Sequence, residues 1–370
     1  MYAISNRVGA MSGAAVEYTN KEVKAWGKKK FKGLEVPVFP SFSPDLQKLD
    51  EEGIRWDVNH IYQNGFNSVM AAPEACGLTF EERKQFVQIV CDEAKGKMFA
   101  SAAVMQDTVE EDIEMLHHLE RVGATHVKLG HPIQYYPRSE EDMYQEYKYM
   151  CDSTKLAIMF YIGRMHTYKF HHSYFPPDVM KRIAEIPNVF SMQVTGGSSI
   201  TVTVQAFELV GDQLLVCDPM PDRWLFTIPM YGQQWAGTGP FYNMQTPENP
   251  RMVRLWNHLV RGERQQAMDM MWESARPGPA GSLGDSYFHT GIVSCHSDKY
   301  MHWLVGGNGG TVRQPTGRLY DYQKEGIRAA VRAMGITPRE PEEEFYVGRV
   351  NYTKGYRLAS YEDRKRRSPM

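Results

Sequence analysis

The sequence predicts an α/β fold, a (β/α)8 TIM barrel with additional C-terminal helices. Three observations carry that expectation. From residue 34 onward, short β-branched or apolar runs alternate with charged segments of helical spacing, the order of a parallel sheet with crossover helices. Eight such runs occur, each followed by a helical segment, which favours a closed barrel over an open sheet. At 370 residues, the chain is long enough for one large barrel with appended helices.

In chain order, the first strand is expected over 36–42, followed by a helix that carries Leu49, Ile54, Val58 and Ile61 at helical intervals. The second strand is expected over 68–72. Thr79 and Glu82 then form a capping box for the next helix. The third strand spans 99–105, and Thr108 with Glu111 repeats the capping signal. Further strands are read at 126–129, 156–161, 189–194, 213–217 and 234–237, and a helix follows over 250–261. The chain therefore divides into an N-terminal extension (1–33), the barrel (34–272), a C-terminal helical region (273–337) and a charged, extended tail (338–370). Lys28, Lys29, Lys30 and Lys32 read as a solvated lead-in to the first strand.

A formal net charge of -2 gives no reason to expect nucleic acid or a membrane surface as a partner. The five cysteines are scattered without a CxxC pair, which favours a reducing, cytoplasmic setting. No apolar run approaches the roughly 20 residues of a membrane helix.

Several segments then point to a family. Asp50-Glu-Glu-Gly53 with Gly65-Phe66, Leu78 with Glu82-Arg83, Tyr135-Tyr136 with Tyr144, Phe160-Tyr161, Thr195-Gly196 and Arg313-Gln314-Pro315 occur in order across 34–337. Together they resemble the dihydrodipicolinate synthase and N-acetylneuraminate lyase family. The resemblance implies a barrel and an active site at the carboxyl ends of its strands. It also implies a homo-oligomer, a dimer or dimer of dimers, because an aromatic residue after strand four reaches the neighbouring subunit's site in that family. Tyr135-Tyr136 takes that place here.

The departures fall where that family's chemistry sits. Its sixth strand ends in a lysine that forms a Schiff base with a 2-oxo acid, whereas this strand reads Phe190-Ser-Met-Gln193. Its Gly-Thr-Thr-Gly-Glu after strand two is Met70-Ala-Ala-Pro-Glu74 here, and its Tyr-Asn-x-Pro is Tyr161-Ile-Gly-Arg164. Glutamine forms no imine, so pyruvate aldolase chemistry at position 193 is not expected.

Strand ends and strand parity select the candidate site. Tyr161 is expected to face inward and relay a proton, which requires a neighbouring cation or acceptor to lower its phenol pKa. Arg164 suits a substrate carboxylate or phosphate, and His166 suits acid–base work near neutral pH. Gln193 and Ser191 face inward while Phe190 and Met192 face the helices, and Gln193 offers a donor and an acceptor. Glu74 is either an assisting carboxylate or a structural one. Tyr135 and Thr195 complete the substrate contacts. On strand four, His126, Lys128 and Gly130 face inward. Lys128 is then either paired with Glu74 or another acid, or is an imine-forming nucleophile at a new position. The histidine pairs His117-His118 and His171-His172 read as surface or loop residues. Gly306 to Gly310 is not a nucleotide loop, because no strand of a βαβ unit precedes it. No metal and no cofactor are called for.

The function expected from these residues is that of a lyase on a small oxygenated, anionic substrate, working by retro-aldol, decarboxylation or elimination without a lysine imine. A hydrolase or hydratase, a non-catalytic ligand-binding barrel and an aldolase using Lys128 stand as alternatives.

Overall fold

A computed structural model describes residues 18–72, 77–130, 137–162, 175–194, 200–237, 239–275, 295–313 and 319–358. Eight parallel strands form one sheet in the order β7-β6-β5-β4-β3-β2-β1-β8. The strands are β1 (Gly33–Val38), β2 (Ser68–Ala71), β3 (Phe99–Val104) and β4 (His126–Leu129), then β5 (Ala157–Ile162), β6 (Val189–Val194), β7 (Leu215–Cys217) and β8 (Trp235–Ala236). The sheet curls into the expected (β/α)8 barrel. Its first strand begins at Gly33 rather than at Val36, which brings Glu35 into the barrel wall.

Helices alternate with these strands. α1 (Val23–Lys30) precedes β1, and α2 (Glu51–Gln63) follows it. α3 (Phe80–Ala94), α4 (Val109–Val122) and α5 (Glu140–Asp152) follow β2, β3 and β4. Their starts are fixed by side chains that accept orphan amide protons. Thr79 Oγ1 accepts from Glu82 N at 3.2 Å, and the Glu82 carboxylate accepts in return from Thr79 N at 3.0 Å. Thr108 Oγ1 and Ser139 Oγ each accept from a backbone amide at 3.1 Å. Gly123 ends α4 in the left-handed conformation (φ 78°), which costs glycine little. α6 (Pro177–Glu185), α7 (Ile200–Val210), α8 (Pro221–Tyr231), α9 (Arg251–Val260) and α10 (Arg264–Ala275) complete the outer layer.

The ring closes unusually. Among the described residues no ladder joins β7 to β8, and side chains span the gap instead. Gly237 N donates to Cys217 Sγ at 3.4 Å. Gln233 Nε2 donates to the carbonyls of Asp218 (2.9 Å) and Trp235 (3.0 Å), while its Oε1 accepts from Asp218 N (3.3 Å).

Aromatic side chains floor the barrel at the amino ends of the strands. Phe31 packs edge-on against Phe190 (5.2 Å) and Trp235 (5.1 Å), and Trp26 of α1 packs against Phe190 (5.5 Å). Phe190 was expected to face the helices, and it does not. The β5–β6 register shifts between Ile158 and Met159, so Phe190 is skipped by the pairing and turns to the floor. The lysines at 28–30 are exposed, as expected, and they form the last turn of α1.

α1 can lie across this floor because Gly27 has no side chain. A Cβ there would stand 2.5 Å from Phe190 Cδ2. Gly27→Ala gains about 1 kcal/mol of helix propensity but overpacks a buried ring at about 1–3 kcal/mol. A lower thermal midpoint is therefore expected, and a raised one would show that the ring moves freely aside.

The C-terminal segment folds back onto the barrel. α11 (Cys295–Leu304), α12 (Asp321–Ala333), α13 (Glu342–Val347) and α14 (Arg349–Thr353) bury Tyr300, Trp303, Ile327, Val331 and Phe345 in a small second core. The tail was expected to be extended. Instead, α13 and α14 are helical, because Phe345 and Val347 have an apolar surface to bury against. The glycine-rich loop from Gly306 to Gly310 serves as a joint. Asn308 N donates to Asp57 Oδ1 of α2 (2.6 Å), and His60 of α2 shares a hydrogen bond with His302 of α11 (2.9 Å). Arg313 adds a further tie, to Glu82 at 2.7 Å. No helix among the described residues is long and apolar enough to cross a membrane.

Candidate active site

The interior of a barrel of this type is usually packed with branched apolar side chains. Here it carries a column of polar groups. Parity sets them: Leu34, Val36 and Val38 of β1 pack outward and are buried, which turns Glu35 inward. The same alternation points Ser68 of β2, Ser101 of β3, His126 and Lys128 of β4, and Tyr161 of β5 toward the axis.

At the lower level, Glu35 Oε2 accepts from His126 Nε2 (2.7 Å), Ser68 Oγ (2.7 Å) and Ser101 Oγ (3.3 Å). Glu35 and His126 are fully buried side chains. Burial alone would raise the Glu35 carboxyl, but the His126 contact, the Ser68 hydrogen bond and the Lys128 charge hold it below the ordinary carboxylate range. His126 stands on the aromatic floor, 4.7 Å from Phe31.

At the upper level, Tyr161 pairs in register with Gln193, and Gln193 with Cys217. Three neighbouring strands thus present phenol, amide and thiol side by side. The Lys128 Nζ lies over the Tyr161 ring, 4.2 Å from its centroid. Lys128 is buried (5% exposed), Gln193 is fully buried, and Tyr161 is half-buried. Burial pushes the Cys217 thiol well above its usual range, so it stands here as a neutral group.

Of the residues selected from sequence, the structure brings Tyr161, Gln193 and Lys128 together inside the barrel, with His126 below them. Glu74, His131, Tyr135, Arg164, His166 and Thr195 lie outside the described residues, as does the His171-His172 pair. His117 and His118 sit on the outer layer, their Nε2 atoms 2.9 Å from the carbonyls of Ser153 and Lys84. Sequence reasoning missed Glu35. The signal was present in the alternation Leu34, Val36, Val38, and starting the first strand at Val36 concealed it.

Comparisons relate the chain and its fold to known proteins. Residues 30–267 match the Dihydrodipicolinate synthetase family. A 4-hydroxy-tetrahydrodipicolinate synthase of Chloroherpeton thalassium is 29% identical over 180 residues, which cover 48% of this chain and 58% of that protein. This chain therefore spans less than two thirds of that curated relative. The crystal structure of a dihydrodipicolinate synthase from Thermotoga maritima superposes with a TM-score of 0.66 at 20% identity, covering 82% of this chain and 98% of the other. That of an N-acetylneuraminate lyase from Fusobacterium nucleatum gives 0.66 at 16% identity, with 82% and 98% covered. At these identities the structural likeness speaks to the fold.

Proposed function

Because the chain belongs to the dihydrodipicolinate synthetase family, we propose that it is a lyase of that superfamily acting on a small oxygenated, anionic substrate by acid–base chemistry without a lysine imine. One juxtaposition supports the reading above all: Tyr161 faces Gln193 across the β5–β6 ladder with the Lys128 ammonium against its ring. Position 193 carries an amide, which offers a donor and an acceptor but no amine nucleophile.

In this reading Tyr161 moves the proton. A nearby positive charge favours the phenolate, the form in which tyrosine accepts a proton from a substrate hydroxyl. As the substrate bond breaks, the electron pair passes to the adjacent carbonyl, and Lys128 stabilises the resulting enolate as a fixed cation. Gln193 hydrogen-bonds the substrate carbonyl or carboxylate. Arg164 holds the anionic group, Tyr135 and Thr195 contact the substrate, and His166 or Glu74 assists the proton transfer.

A second reading keeps the imine and moves it to Lys128, and the burial of that lysine inside the barrel favours it. A screen of small hydroxy and oxo acids, followed by borohydride treatment with pyruvate and intact-mass spectrometry, separates the two. The expected result is turnover of at least one acid with the protein mass unchanged. An adduct mapped to Lys128 would establish the second reading. Absence of turnover across the screen would favour a non-catalytic barrel.

A further inference from the structure

The net charge of -2 conceals an uneven surface. Lys28, Lys29, Lys30 and Lys32 are exposed around the end of α1, on the floor side of the barrel. Elsewhere, surface bases stand beside acids: Lys148 lies 2.5 Å from Asp152, Lys181 3.6 Å from Asp178 and Lys354 2.5 Å from Glu52. Among the described residues no ion pair reaches the four lysines at 28–32. Lys28 Nζ donates instead to a backbone carbonyl, that of Asp212, at 2.6 Å. The turns from helix to strand on this side carry exposed Lys95 and Lys155 against one acid, Asp212. Residues 1–17 hold one acid, Glu17, and one base, Arg7, and so add no surplus of negative charge.

Basic residues in a last helical turn often serve only to answer the helix dipole. Here Gln234 already meets part of that need. Its Nε2 donates to the carbonyls of Gly27 (3.3 Å), Lys28 (3.1 Å) and Phe31 (2.8 Å) at the end of α1. Val23, Trp26 and Gly27 are buried on the floor, so α1 lies flat against it and leaves its lysines in solvent. Around them, exposed Tyr62 (41%), Tyr149 (62%) and Met230 (64%) stand in the last turns of α2, α5 and α8, helices that end on this same side. Unpaired lysines attract anionic headgroups, and tyrosine suits the boundary between headgroup and acyl chain. Lysine is also a hydrated point charge, without the planar fork that grips one phosphate bidentately. Because α1 lies flat, it does not stand clear of the face to enter a nucleic-acid groove.

We propose that this end of the barrel docks on an anionic phospholipid surface, held by Lys28, Lys29, Lys30 and Lys32 and rimmed by Tyr62, Tyr149 and Met230. Docking through the floor turns the carboxyl ends of the strands, where the candidate site lies, toward solution. The contact is electrostatic at its centre, so it weakens as salt shortens the reach of the charges.

Co-sedimentation of the full chain with vesicles tests the proposal. We expect binding to mixed phosphatidylcholine and phosphatidylserine vesicles, none to phosphatidylcholine alone, and a steady loss with rising salt. Lys28→Ala/Lys29→Ala/Lys30→Ala should lower the partition coefficient roughly 100-fold, at about 5-fold for each charge near the surface. Lys28→Arg/Lys29→Arg/Lys30→Arg keeps the charge and should bind as the wild type does. Lys148→Ala/Lys181→Ala/Lys354→Ala removes as much charge from paired positions and should also bind normally. An equal loss in both alanine variants overturns the proposal, because net charge alone would then govern binding. Failure to bind the anionic vesicles, or binding that ignores phosphatidylserine, overturns it too. Capture of a random-sequence DNA duplex without capture of anionic vesicles overturns it in favour of nucleic acid. Amine acetylation of the wild type, read by mass spectrometry, carries the test should the first alanine variant fail to fold. Anionic vesicles should shield Lys28, Lys29, Lys30 and Lys32 and leave Lys148 and Lys354 reactive. Shielding spread evenly over all six lysines overturns the proposal.

Discussion

Tyr161→Phe is expected to lower kcat by about 10²–10⁴ on whichever acid the screen identifies, the usual range for loss of a positioned acid–base group. The substitution deletes one oxygen and keeps the ring, so the Lys128 contact over its face is retained. Any lost hydrogen bond should cost only about 0.5–1.5 kcal/mol of stability, too little to account for such a rate loss in a folded enzyme. The change should appear in kcat far more than in KM, because the phenol acts on the proton in flight and contributes little to ground-state binding. A near-normal kcat would remove Tyr161 from the mechanism and shift the proton transfer to His166 or Glu74.

The second large effect concerns the joint between the barrel and its C-terminal helices. His60 and His302 share a hydrogen bond of 2.9 Å, and His302 Nδ1 lies 3.4 Å from the buried Asp57 carboxylate. Burial, reinforced by Arg349, holds the His60 imidazole down to about 4 from the usual 6.5. Burial pushes His302 well below that usual value too, with the facing His60 and Lys299 acting in the same direction. As pH falls past 6.5, an unfolded chain takes up protons on both rings while the native chain does not, so stability drops. For His60 alone the loss amounts to about 3 kcal/mol by the time pH reaches 4. Asp57 works oppositely. Burial pushes its carboxyl up to about 7 against the attraction of Lys299, so the native state binds that proton first and gains stability as pH falls through the same window.

The two variants should therefore diverge. Asp57→Asn removes the compensating group and should steepen the loss of thermal stability between pH 6.5 and 4. His60→Gln should flatten it. Melting curves of both proteins across that range decide the matter, and parallel slopes would show that neither group titrates differently in the folded state.

Most of the fold was legible because its signals are local. Apolar alternation marks strands, and Thr79 with Glu82 marks a helix start, whatever the rest of the chain does. The placement of Tyr161, Lys128 and Gln193 followed from parity, which needs only a strand and its direction. What escaped notice depended on context. A register shift turned Phe190 from the helix layer to the floor, and no pattern within strand six announces that its partner strand will skip a residue. The tail looked extended because it is charged, yet two apolar side chains suffice to dock it once Trp303 and Tyr300 offer a surface. Glu35 was lost to a boundary error of a few residues, the least reliable part of any reading from periodicity.

The side-chain closure between β7 and β8 gives the barrel a place to yield. A backbone ladder resists sliding at every residue along its length, whereas Cys217 and Gln233 resist it at isolated points. Distortion arriving from the mouth is therefore absorbed by local opening at this seam before it reaches the continuous run of ladders from β1 to β7. His126 and Lys128 stand on β4, across the ring from the seam, whereas Gln193 on β6 is in register with the seam residue Cys217. In mechanical terms the molecule is a clasped bracelet: continuous in its ladders from β1 to β7, and jointed on the side where the strands are shortest.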